Sequence, residues 1–127
     1  MNRPCRIACL FGLCVALAAG GFARPAYAIK QFQDEFKALY VKEGTPLAAE
    51  VERVKCNVCH VGKDKKERNA YGKALDERLD KKADKDNAEK IRKMLEEVAA
   101  LPSDPTKPDS PPFGDLIKAG KLPVAVP

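Results

Sequence analysis

Cys56-Asn57-Val58-Cys59-His60 constrains this chain more than any other run of residues. Two thiols three positions apart, followed directly by an imidazole, put three soft ligands on a single turn of backbone. His60 is the only histidine in the chain. Of the other cysteines, Cys5, Cys9 and Cys14 all lie near the N-terminus, within a stretch that reads as an export signal. Arg3 and Arg6 form its positive start, and Ile7 to Gly20 is an uncharged, mostly apolar run. Ala26-Tyr27-Ala28 has the small-x-small pattern that precedes a cleavage site. The run is short for a membrane span, which needs about 20 residues. Residues 1–28 are therefore expected to be a signal peptide cleaved after Ala28, leaving a periplasmic or secreted chain with no stable membrane span.

A chain of 99 residues starting at Ile29 suffices for one small domain with a modest core. It would keep only Cys56 and Cys59 as cysteines. Arg3, Arg6 and Arg24 leave with the signal, so the formal +5 of the whole chain falls to +2. That balance is weak ground for nucleic-acid binding, and no aromatic residues interleave with basic ones to support it.

Helical periodicity dominates the remainder. Phe32, Phe36, Leu39 and Tyr40 share one face of a helix expected over Gln31 to Val41. Thr45 and Pro46 form a cap and a first helical residue for a second helix, from Leu47 towards Cys59. Val61 to Arg68 is polar and basic, with Gly62 as a helix stop. Asn69 can cap a third helix, Ala70 to Leu79. Lys81 to Asp86 is a charged connector. Asp86 or Asn87 caps a fourth helix to about Ala100, with Ile91, Met94, Leu95 and Val98 in its stripe. Residues 29–101 are expected to be the domain and residues 102–127 a Pro-rich C-terminal extension. In that extension Pro102 to Pro112 is an extended linker without regular structure. Phe113 to Ala119 forms one or two turns, from which Phe113, Leu116 and Ile117 can dock on the main body. No strand pattern stands out. The expected fold class is all-α.

The C-x-x-C-H run is the attachment signature of c-type haem. In a helical turn, residues three and four apart share a face. Cys56 and Cys59 can then both reach the edge of one porphyrin and add to its two vinyl groups, while His60 ligates the iron. A structural zinc site needs four ligands, and only carboxylates remain to complete the set. A thioredoxin-like C-x-x-C belongs in a βαβ setting, which this pattern lacks. A plain Cys56–Cys59 disulfide in a non-haem interaction module leaves the placement of His60 unexplained. Export also favours haem, since c-type attachment takes place outside the bacterial cytoplasm.

On Cys56, Cys59 and His60, with a helix before them and an amphipathic helix after, the chain resembles the small monohaem c-type cytochromes, class I in order of elements. The resemblance covers most of residues 29–101. Asn69-Ala70-Tyr71-Gly72 is also similar to the Asn-x-aromatic-Gly segment of some bacterial haem c domains. The resemblance implies a small helical domain wrapped around one covalent haem, with His60 as proximal ligand. It implies electron transfer between redox partner proteins rather than catalysis on a substrate.

In the class I pattern a methionine on an irregular loop is usually the distal ligand. Here Met94 is the only methionine after the signal, and it falls on a helix stripe where packing is the plainer role. Without it, Tyr71, a lysine, water or an open position remains. The open position is the alternative function, a five-coordinate haem protein that binds a small gas or reduces peroxide. Lys63, Lys65, Lys66 and Arg68 follow His60 and could steer an acidic partner. Asp64 and Glu67 interleave with them, as on an ordinary solvated loop.

Overall fold

The computed structural model describes residues 30–127; the signal-peptide expectation lies outside them. Five helices carry the fold: α1 (Lys30–Tyr40), α2 (Pro46–Val54), α3 (Ala70–Asp76), α4 (Ala88–Ala99) and α5 (Phe113–Lys118). The protein is mostly helical. It departs from the all-α expectation in one place, a two-residue hairpin of β1 (His60–Val61) and β2 (Glu67–Arg68). The pairing sets His60 opposite Arg68 and Val61 opposite Glu67. Strands this short show no alternation along the sequence, so periodicity could not reveal them.

Three helices start at side-chain caps that the sequence advertises. Thr45 accepts from the Ala48 N–H with Pro46 at the first helical position; Asn69 accepts from the Gly72 N–H; Asn87 accepts from the Lys90 N–H. Each satisfies a donor that the helix itself leaves orphaned, at about 1 kcal/mol per cap. α2 does not run on to Cys59. It stops at Val54 because Lys55 takes φ 50°, ψ −113°, and a separate 3₁₀ turn follows over Lys55–Val58. α3 likewise ends at Asp76, short of Leu79. Gly62 sits at φ 74° inside the hairpin loop and terminates no helix.

The core lies where α4 meets α1, α3 and α5. Ile91, Leu95 and Val98 of α4 are buried, as are Phe36, Val51, Leu75 and Leu79 from the other elements. An edge-to-face aromatic chain runs through it. Phe36 meets Tyr40 at 5.3 Å and Tyr71 at 5.9 Å between ring centroids, and Tyr71 meets Phe113 at 5.1 Å. Such pairs add about 0.5–1.5 kcal/mol each beyond the area they bury.

Pro102 to Pro112 is not an extended linker. The segment closes on itself: Pro102 and Pro112 form an antiparallel bridge, the Ser103 N–H donates to Pro111 O, and the Phe113 N–H donates to Leu101 O. Asp104 holds the tip by accepting from the Thr106 N–H and hydroxyl. The closed loop returns the chain to α4, where Phe113 and Ile117 are buried with the rest of the core and Leu116 is half-buried. Among the described residues no helix is long and apolar enough to cross a membrane.

Candidate functional site

The 3₁₀ turn determines where the two thiols go. Side chains three apart eclipse one another in 3₁₀ geometry. The Cys59 N–H donates to Cys56 O at 3.2 Å, closing that turn across the pair. Both thiols are free and half-buried, and both line one cleft. His60 follows on β1, is 4% exposed and lines the same cleft. The three residues singled out by spacing are thus brought to one place by two irregular elements, a 3₁₀ turn and a hairpin edge.

The cleft measures about 610 Å³ with its solvent-open part included. Its apolar walls are Phe32 and Phe36 of α1, Val58, Leu75 of α3 and Leu95 of α4. Arg68, Asp76 and Lys81 also line it. Asp76 Oδ1 lies 3.1 Å from the Arg68 guanidinium and 3.8 Å from Lys81 Nζ. An apolar group carrying acidic substituents matches this mixture, because the walls are apolar and three cations, Lys55, Arg68 and Lys81, outnumber the one carboxylate, Asp76.

The His60 ring is held at one nitrogen. Its Nδ1 lies 3.3 Å from the Glu67 carbonyl oxygen. A carbonyl can only accept, so the proton sits on Nδ1 and Nε2 keeps its lone pair. Burial pushes the His60 pKa down, which keeps the ring neutral, as a metal ligand must be. A backbone carbonyl on the non-ligating nitrogen is the usual means of fixing the tautomer and ring orientation of a metal-bound histidine.

The Cys59 thiol is a poor free nucleophile. Burial, with Cys56 adding to it, pushes the Cys59 pKa up to about 12, so the group stays protonated at neutral pH. Reactive cysteines show the opposite shift. Among the described residues no group of three or more His, Cys, Asp or Glu side chains is arranged to hold a metal ion.

Comparison with protein-family models, with curated proteins and with solved structures finds no match for this chain.

Met94 is not among the residues that line the cleft. It is half-buried and packs against the hydrophobic core, while Leu95, one position along α4, lines the cleft. One residue on a helix turns a side chain by about 100°, so the two face different neighbours. Tyr71 is fully buried in the aromatic chain and does not line the cleft; burial, with Cys59 and Tyr40 nearby, raises its pKa well above the ordinary value. Of the lysines, Lys55 and Lys81 reach the cleft.

Two contributors escaped the sequence reading. Gly72 approaches the motif so closely that a Cβ built on it would stand 2.1 Å from Cys59 O. Asn69 caps α3, as expected, but also donates from Nδ2 to Val58 O at 2.9 Å and to Asn57 O at 3.3 Å. Their signal was present in the Asn69-Ala70-Tyr71-Gly72 segment, noticed as a resemblance and not as a set of contacts.

Proposed function

We propose that this protein is an exported monohaem c-type cytochrome that passes single electrons between partner proteins. The reading rests on one observation above the others. Cys56, Cys59 and a neutral, Nδ1-anchored His60 converge on a single apolar-walled cleft. A covalent haem fits that donor set: the cysteines supply two thioether anchors and His60 Nε2 supplies the iron ligand. When bound, the haem supplies a one-electron redox centre.

The chain's own residues supply the rest. The Glu67 carbonyl orients the imidazole and raises its basicity. Phe36, Val58, Leu75 and Leu95 keep water from one side of the cleft, lowering the local dielectric and so biasing the redox potential. Arg68 and Lys81 offer positive charge for acidic substituents at the same site.

A second reading shares the cofactor and differs in the sixth ligand position. Met94 lies outside the cleft lining, which favours a five-coordinate haem protein that binds a small gas or reduces peroxide. A pyridine haemochrome assay on exported protein tests both haem readings against a Cys56–Cys59 disulfide module. A c-type product supports haem, and its absence rules it out. The ferric spin state then separates the two. A low-spin spectrum supports the electron carrier, and a high-spin one supports the open-site alternative.

A further inference from the structure

Carbonyls of three consecutive motif residues, Asn57, Val58 and Cys59, all accept hydrogen bonds from one residue, Asn69. Its Nδ2 donates to Asn57 O at 3.3 Å and Val58 O at 2.9 Å, and its backbone N–H donates to Cys59 O at 3.0 Å. Its Oδ1 meanwhile accepts from the Gly72 N–H at 2.9 Å. Asn69 is 8% exposed, and every side-chain hydrogen-bonding atom it has is in use.

A helix cap needs only the Oδ1 contact. Asn87 shows this on α4, where it accepts from the Lys90 N–H at 3.0 Å, and no hydrogen bond from its side-chain amide is found among the described residues. At Asn69 the amide end is turned on the segment between the two cysteines. That segment follows Lys55, whose φ of 50° breaks α2, so helical hydrogen bonding does not continue into it. A short 3₁₀ turn has weaker hydrogen-bond geometry than an α-helix. An external clamp on its carbonyls fixes the direction of both thiols.

We infer that Asn69 is a positioning residue for covalent attachment. Its amide holds the Cys56–Cys59 turn so that both thiols face the cleft together, while its carbonyl joins that turn to the start of α3. The inference rests on the haem-attachment reading. Gly72 completes the joint, since any side chain there would strike Cys59 O. Asparagine is the residue that serves both ends: serine caps as well but is too short to span to two further carbonyls, and aspartate offers no donor.

The test compares wild type, Asn69→Ser and Asn87→Ala, each taken as the exported chain from Ile29. Haem-loaded protein is unfolded, treated with iodoacetamide, and its alkylated cysteines are counted by mass. Wild type and Asn87→Ala should show no free thiol. Asn69→Ser should show a several-fold larger fraction of chains with one free thiol. The α band of its pyridine haemochrome should be red-shifted, because an unreacted vinyl group extends the conjugation. Loss of a cap alone cannot move either readout, as Asn87→Ala controls for it. Full double attachment in Asn69→Ser, with no more change than in Asn87→Ala, would overturn the inference. If wild type carries no covalent haem, the functional reading falls. The iodoacetamide rate at Cys59 in the folded chains then decides the positioning role, with faster reaction in Asn69→Ser supporting it and equal rates overturning it.

Discussion

Two halves of the molecule are held by different physics. The α1, α4 and α5 side is regular helix, joined through Phe36, Ile91, Leu95, Val98, Phe113 and Ile117, all 5% exposed or less. The segment from Lys55 to Asp76 is a 3₁₀ turn, a two-residue hairpin and a seven-residue helix. Side-chain to backbone hydrogen bonds tie that segment together, from Asn69 to the motif carbonyls and between His60 and Glu67. The apolar half is non-directional and tolerant of small geometric change. The polar half is directional, and it carries the residues whose chemistry requires direction. Division of this kind predicts that substitutions in the apolar half away from the cleft walls alter stability, while substitutions in the other alter the site.

His60→Ala should have the largest effect. No second imidazole exists in the chain, so the native iron environment should be lost even if the thioethers still form. Visible spectra of the haem-loaded variant check this, and a spectrum matching wild type would remove His60 as the ligand. Ile91→Ala should cost about 2–5 kcal/mol in denaturant unfolding, as a fully buried aliphatic truncation does, while leaving the spectrum in place. A marked spectral change there would break the division between the halves. Gly72→Ala should cost about 3 kcal/mol, the upper end for overpacking, because the clash is with backbone on the motif side. Unlike Ile91→Ala it should perturb the spectrum as well, and unfolding and absorption measured on the same sample would show the pairing.

Smaller effects sharpen the boundary. Met94→Leu conserves volume and should cost under about 1.5 kcal/mol, with the haem spectrum unchanged if its sulfur only packs against the core. Loss of a low-spin ferric spectrum in that variant would instead make Met94 the sixth ligand and strengthen the electron-carrier reading. Lys55→Gly should be the mildest. It removes a non-glycine residue from φ 50° and should raise stability by about 1 kcal/mol or less. A lower unfolding midpoint would mean that the Lys55 side chain contributes more than its backbone costs.

The same division explains what could be read before the structure. α1 and α4 lie within a residue of the bounds expected from their apolar spacing, and α4 starts at an ordinary asparagine cap. The end of α2 was missed because Lys55 is not a residue type that announces a left-handed break. The hairpin is too short to alternate. Pro102 to Pro112 was read as a linker because proline and polar residues signal the absence of helix or strand, which is not the absence of packing. Asp104 and Ser110, both turn formers, were the available hint, and the Asp104 N–H donates to Ser110 Oγ. Spacing alone singles out Cys56, Cys59 and His60, and the fold brings them to one cleft. The Asn69 amide, the Glu67 carbonyl and the Gly72 approach depend on how the chain folds back on itself, which local pattern does not encode.

Convergence of the two thiols and His60 on one cleft is most directly tested by the intact mass of exported protein after extraction with acidified organic solvent. The account predicts one species, the chain from Ile29 plus one haem that extraction does not remove. A chain that loses its haem to the solvent, or that carries a Cys56–Cys59 disulfide in its place, would contradict it.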